Sequence, residues 1–339
     1  MARYLVTGCA GFIGSWIADT LLRQGVSVCG LDNFETGRRE NIAAVEAAAA
    51  ASGAEFRLFE ADLRDADAVA RAVRDTSRHG AELEVIFHQG ALPSVPRSIL
   101  DPRTSHTANI DGTFNLLEAA RAHGVRRVVY AASSSAYGNQ PGFPRVETMV
   151  PMPIAPYPVQ KLMGEHYMRS YWQVYGLETV ALRYFNIFGP RQVPDSPYSG
   201  VMARWTLQMM QGKQPTIFGD GEQGRDFTFV GNAVSANLLA ASAPAERVAG
   251  RVFNVACGQR HTLNRTFQVL AELLAFKEPA LYTAERTGDI QNSLADISAA
   301  RAAFGYEPAI SFEEGLRQTV AWYQQQYGDV AAAAGATRP

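Results

Sequence analysis

Gly8-Cys9-Ala10-Gly11-Phe12-Ile13-Gly14 decides how this chain folds. It follows the apolar run Tyr4-Leu5-Val6-Thr7 and leads into a helical stretch over residues 13–24. Glycines at this spacing between a strand and a helix serve three ends: a tight turn, close approach of backbone to a pyrophosphate, and close packing of helix on strand. The free N–H groups at the helix start then face negative charge.

Outward from that turn, short β-branched runs alternate with helical patterns, as βαβ units of a parallel sheet do. Strands are expected at 4–7, 26–31, 56–59, 85–87, 128–131 and 179–182, the last after a long helix over 157–175. Ile110, Phe114 and Leu117 recur at the spacing of one helical face. The alanine-rich segment 43–51 reads as an exposed helix of high propensity. The expected fold is α/β: a Rossmann-type doubly wound parallel sheet with a smaller C-terminal α/β lobe that binds substrate. Residues 1–187 form the nucleotide-binding domain, with a strand and helix returning from the C-terminal part. Residues 188–328 form mainly the substrate lobe, and 329–339, small and aperiodic, a flexible tail.

The 339 residues are 47% apolar and carry a net charge of -2, so nothing favours nucleic acid or an anionic membrane as partner. No run nears the ~18 apolar residues of a membrane span, and the N-terminus carries no signal-peptide pattern. Cys9, Cys29 and Cys257, three and widely spaced, read as buried free thiols rather than a disulfide set or a metal site. A cytoplasmic protein without metal is expected.

Asp32 ends the second strand at about the 20-residue spacing of a ribose-binding acid. Its carboxylate would accept from ribose hydroxyls and repel a 2'-phosphate, favouring NAD over NADP; a plain turn at Asp32-Asn33 is the alternative. Asp62-Leu63 closes the third strand, where Asp62 either meets the adenine edge or caps a helix. Tyr157-Pro158-Val159-Gln160-Lys161 puts a phenol and an ammonium on one helical face. A phenol titrates near ~10, and a nearby cation brings it toward working range. Ser133-Ser134-Ser135 ends the fifth strand, where open parallel sheets bind ligands.

Taken in order, these motifs, with Arg183-Tyr184-Phe185-Asn186 and Arg225-Asp226-Phe227, resemble the epimerase/dehydratase branch of the extended short-chain dehydrogenases/reductases, over the chain to about residue 325. Within the branch the chain is most similar to UDP-hexose and UDP-N-acetylhexosamine 4-epimerases. The resemblance implies NAD as cofactor, a UDP-sugar as substrate, and a homodimer through helices near 102–123 and 157–175. It implies Ser133, Tyr157 and Lys161 as catalytic residues. The cofactor residues it implies are Gly8, Gly11, Phe12, Ile13, Gly14, Asp32, Asn33, Asp62, Leu63, Gln89, Asn109 and Phe185, besides the catalytic three. On the substrate side it implies Ser94 and Arg97 from Ser94-Val95-Pro96-Arg97-Ser98; Asn186, Arg225 and Arg286 on the diphosphate; and Asp289 with Ser293, the latter at a size gate whose small residue admits an N-acetyl group.

Three positions depart from the pattern. Pro158 and Gln160 stand where a small residue and Ser or Thr are usual, and Gln291 replaces a basic residue. Proline suits a first helical turn but steers its predecessor away from α geometry, so Tyr157 is expected at or just before the helix start. The implied reaction is 4-epimerisation of UDP-glucose/UDP-galactose, and of UDP-GlcNAc/UDP-GalNAc, through a transient 4-keto sugar. UDP-glucuronate epimerisation is an alternative. A dehydratase or decarboxylase would carry acidic residues where Ser134 and Ser135 stand. A non-catalytic NAD-binding regulator would not need the Ser133/Tyr157/Lys161 set.

Overall fold

Seven strands make one parallel sheet: β1 (Ala2–Thr7), β2 (Ser27–Asp32), β3 (Phe56–Glu60), β4 (Val85–His88), β5 (Arg127–Ser133), β6 (Glu178–Tyr184) and β7 (Arg251–Val255). This computed structural model describes residues 2–76, 83–194, 200–285 and 292–336. Their order is β7-β6-β5-β4-β1-β2-β3. The chain winds outward from β1 one way and from β4 the other, so a crevice opens at the carboxyl ends where the direction reverses. The turn 8–14 follows β1 at that crevice.

Neighbouring strand residues feed opposite faces. Val6, Phe87, Val129 and Leu182 pack with α1 (Phe12–Arg23) and α2 (Arg39–Ser52), whereas Leu5, Ile86, Val128 and Ala181 join the opposite core with α3 (Ala66–Thr76) and later helices. Strands buried on both faces read as continuous apolar runs, which is why they were legible.

Between β4 and β5 lie α4 (Val95–Leu100), α5 (Pro102–His106) and α6 (Gly112–Ala122); α7 (Pro156–Tyr175) precedes β6. A π-helical turn, Thr107–Asp111, joins α5 to α6. Its wider winding breaks the expected common face: Ile110 and Leu117 are buried, but Phe114 is 41% exposed, against Tyr167. The alanine-rich segment 43–51 is helical as expected, in α2, but exposed on one face only, because Val45, Ala48 and Ala49 are buried.

Beyond β6 the chain builds two-stranded pieces: Ile187–Phe188 with Thr228–Phe229, Gly224–Arg225 with His261–Thr262, and Thr216–Phe218 with Leu281–Thr283. β7 returns to the main sheet beside β6. The final helix runs Phe312–Ala336, so the flexible tail expected from 329 is helical as far as 336. Alanine has the highest helix propensity, and an Ala-rich run extends a helix already nucleated by packed residues. No described helix is long and apolar enough to cross a membrane.

Candidate active site

The cofactor side starts at the glycine turn. Gly8 has φ +68°, and a Cβ on it would lie 2.8 Å from the Gly90 nitrogen. A Cβ on Gly14 would lie 2.1 Å from the Gly8 carbonyl oxygen. Helix α1 begins after Gly11 with no side-chain cap and no acidic residue in its first turn, and half-buried Phe12 and Ile13 head it. Its first N–H groups therefore suit a pyrophosphate. Asp32 is buried beside them: Oδ2 accepts from the Ala10 N–H (2.9 Å) and Oδ1 from the Phe34 N–H (2.8 Å). Burial raises its carboxyl above the usual range.

Asp62 and Leu63 line the same cleft, of about 450 Å³, with Gly8, Asp32, Asn33, Glu35 and Gly90. The helix-cap reading of Asp62 gives way here, since Asp65 takes the Ala68 N–H (2.9 Å) in the first turn of α3. Asp62 instead accepts from Arg64 and from Asn33 Nδ2 (2.7 Å), and Arg64 holds its carboxyl down at about 2. An uncapped helix start, a turn too tight for any Cβ and a buried ribose-side carboxylate together fit NAD.

Two cofactor candidates act through neighbours. Asn109 is buried, accepting from the Leu92 N–H (2.7 Å) and donating to Gln160 Oε1 (2.8 Å). Its side chain thus fixes the backbone of Leu92, which lines the cleft. Gln89 donates to Asn237 Oδ1 (3.2 Å) and accepts from the Tyr184 hydroxyl (3.2 Å). Gln160 explains its own departure: besides Asn109 it accepts from the Ser105 hydroxyl (2.8 Å), joining α7 to α5 and the π turn.

The chemical centre lies at the end of β5. Ser133 Oγ stands 2.7 Å from Ser135 Oγ, and Ser133 lies close enough to the Tyr157 hydroxyl to lower its titration. Tyr157 is the second residue of α7, one inside the expected start. Its prolines are compatible with that place because the first N–H groups of a helix lack intrahelical partners. Burial pushes the Tyr157 phenol up to about 12, with the Ser133 hydrogen bond lowering it in part. Lys161 contributes no lowering to that value. Lys161 Nζ donates to the Ala131 carbonyl (2.8 Å) and sits over the Tyr130 ring, and burial brings its own ammonium down to about 7. A buried amine that gives up its charge so readily does little to draw a proton from its neighbour.

The substrate side is formed by two adjoining clefts. The larger, about 1610 Å³, is lined by Ser94, Val95, Tyr157, Asn186, Arg204, Phe218 and Arg225 among others. The smaller, about 680 Å³, is lined by Ser133, Ser134, Ser135, Arg145, Phe185, Asn186, Arg225 and Ser293. Asn186 has φ +40°, a conformation asparagine tolerates better than most residues. Its Nδ2 donates to the Asp226 carbonyl (3.0 Å) and to Ser293 Oγ (3.4 Å). Asp226, fully buried, accepts from the N–H groups of Cys257 (2.9 Å), Gly258 (3.0 Å) and Ala295 (3.2 Å), so it ties the Arg225 strand to the Ser293 segment. Burial pushes its carboxyl up to about 6.

One substrate candidate is placed elsewhere. Arg97 pairs through Nη2 with Glu35, which also meets Arg64 at 3.1 Å. Glu35 lines the cofactor cleft, and Arg97 lines neither substrate cleft. Arg286 and Asp289, with Gln291, lie outside the described residues. Sequence reasoning passed over Arg145, Arg204, Thr216 and Phe218, which line these clefts.

Residues 4–256 match the NAD dependent epimerase/dehydratase family. The chain is 36% identical to UDP-glucose 4-epimerase of Mycolicibacterium smegmatis over 325 residues, covering 96% of this chain and 99% of that one. Among solved structures it is similar to UDP-glucose 4-epimerase of Thermotoga maritima with UDP-glucose, at 36% identity and a TM-score of 0.86, covering 95% of this chain and 99% of that one. It is similar as well to UDP-N-acetylglucosamine 4-epimerase of Methanobrevibacter ruminantium in complex with UDP-N-acetylmuramic acid, at 37% identity and a TM-score of 0.87, covering 96% and 99%.

Proposed function

Because this chain belongs to the NAD-dependent epimerase/dehydratase family, we propose that it is an isomerase inverting carbon 4 of a UDP-sugar, with UDP-glucose/UDP-galactose and UDP-GlcNAc/UDP-GalNAc as its substrates. What supports this reading is that Ser133 and Tyr157 line the two adjoining substrate clefts, with hydroxyls rather than carboxylates at Ser134 and Ser135. Removing water or carbon dioxide needs further acid–base groups beside the sugar; moving hydride out and back does not.

Tyr157, as its phenolate, takes the proton of the 4-hydroxyl and returns it, with Ser133 beside it; the positive charge of bound NAD would lower the phenol from the value burial gives it. Bound NAD would supply a reversible hydride acceptor for carbon 4, so that net redox is zero. Asp32 holds the adenosine ribose, the start of α1 the pyrophosphate, and Lys161 the nicotinamide ribose. Arg225 and Asn186 anchor the diphosphate while the 4-keto sugar turns over, a positioning role in which forked guanidinium donors suit phosphate oxygens. Ser293, small at its gate, leaves room for an N-acetyl group.

The working unit of this reading is a homodimer through α6 and α7, supported by the apolar side chains that these helices expose: Phe114, Val159, Met163 and Tyr175. Product analysis by NMR and mass spectrometry tests the function. The purified protein is incubated separately with UDP-glucose, UDP-GlcNAc and UDP-glucuronate, without and then with NAD. The 4-epimers of the first two are expected at unchanged mass. Turnover of UDP-glucuronate alone would move the substrate assignment, and a product lighter by water or carbon dioxide would refute epimerisation.

A further inference from the structure

The first turn of α7 is unusual in having almost no free donors. Pro156 and Pro158 contribute no N–H, and the Val159 N–H bonds to the Ala155 carbonyl (3.3 Å). The only N–H left in the first three positions belongs to Tyr157. It donates to Ser98 Oγ at 3.0 Å, across a sequence separation of 59 residues. Ser98 is fully buried in α4, and its own hydroxyl donates to the Val95 carbonyl (2.7 Å). The same short helix is capped by Ser94, whose Oγ accepts from the Arg97 N–H (3.1 Å). Ser94, Val95 and Pro96 line the substrate cleft alongside Tyr157.

From this geometry we infer that Ser98 is a positioning residue: it fixes the backbone, and hence the aim, of the catalytic Tyr157, and couples that aim to the substrate-lining segment 94–96. With Val159 making the one helical hydrogen bond of this turn, the backbone N–H of Tyr157 takes its anchor from Ser98. Pro158 then has a physical role. By removing a competing donor and fixing its own φ, it leaves Tyr157 with a single anchor, and that anchor belongs to the substrate loop. A sugar that displaces Ser94 or Val95 is thereby felt at the phenol. Ser98 touches neither sugar nor cofactor cleft, so it acts only through Tyr157.

The inference rests on Tyr157 as the acid–base group of the proposed epimerase, and its test has an arm that does not need turnover. Ser98→Ala, Ser98→Cys and Ser98→Thr are made in the holoenzyme. Cysteine keeps the size and loses most of the acceptor strength; threonine keeps the hydroxyl. Expected for Ala and Cys is a kcat lower by about 10- to 100-fold, the scale of a small misplacement of a reacting group, with KM within about twofold and bound NAD retained; Thr recovers most of the rate. In a Tyr157→Phe background, Ser98→Ala should add no further loss, because the two act as one unit. In protein labelled at tyrosine 13Cζ, the Tyr157 resonance, assigned with Tyr157→Phe, should move in Ala and Cys and return in Thr.

A full additional loss in the Phe background, an unmoved Tyr157 resonance, or a fall confined to melting temperature would overturn the inference. Absence of epimerisation by the unmodified protein would instead refute the proposed function. The resonance comparison would then still decide whether Ser98 sets the place of Tyr157.

Discussion

Gly14→Ala strikes the cofactor turn where the structure leaves no room. The added Cβ would sit 2.1 Å from the Gly8 carbonyl oxygen, 2.8 Å from its carbon and 3.2 Å from Cys9 Cα, all backbone atoms. Ordinary contact begins near 3.4 Å, so turn and helix must separate by about an ångström along the line that presents N–H groups to the pyrophosphate. Overpacking of this kind costs about 1–3 kcal/mol. If about 2 kcal/mol of it falls on cofactor binding, NAD affinity drops roughly 30-fold. The assay is NAD content per protein after purification, read from released nucleotide, with the melting temperature and turnover at rising NAD. Gly11→Ala is the control, since its Cβ meets only the Gly8 carbonyl oxygen at 3.1 Å, with the next atom at 4.0 Å. Full NAD content and an unshifted melting temperature in Gly14→Ala would refute the reasoning, as would equal losses in the two variants.

Lys161 predicts a pH effect on the cofactor-free protein. Its folded value of about 7 lies below the ordinary 10.5. The unfolded chain therefore binds more protons between those values, and stability rises with pH across that window. The contribution is fully present above about 10.5 and lost as pH falls through 7, with a slope of at most about 1.4 kcal/mol per pH unit. Chemical denaturation from pH 7 to 9 should show the rise in the native protein and its absence in Lys161→Met; parallel profiles would contradict it. The Arg97–Glu35 pair, with side chains 31% and 24% exposed, is worth about 1 kcal/mol or less. Arg97→Gln and Glu35→Gln should each speed NAD release by no more than about fivefold, and the double variant no further. Additive or salt-independent effects in stopped-flow release would count against a role of this ion pair in holding NAD. Ser293→Tyr, filling the space beside Asn186, should abolish turnover of UDP-GlcNAc and spare UDP-glucose; equal kcat/KM losses on both would remove Ser293 as a gate.

The fold was legible because its signals are local. Buried parallel strands are apolar on both faces, so six runs stood out. The glycine turn, Asp32 and the start of α7 each show within a few residues of sequence. The seventh strand, Arg251–Val255, did not, because Arg251 and Asn254 interrupt its short apolar run and it gains its place only beside β6. The π turn hid in the same way: one extra residue per turn leaves the composition unchanged but rotates Phe114 off the buried face.

The site divides along the same line. Sequence alone determined which residue types gather at the strand ends, since the spacing of Tyr157 and Lys161 on a helix and of Ser133 on a strand is set by backbone periodicity. Tertiary structure alone decided what each one touches. Arg97 meets Glu35 across 62 residues, and Ser98 holds the Tyr157 N–H across 59. Lys161 donates a hydrogen bond to the Ala131 carbonyl, while burial raises the Tyr157 phenol and lowers the Lys161 ammonium. Periodicity reaches a few residues along the chain, whereas desolvation and long-range hydrogen bonds depend on which segments the folded sheet brings together.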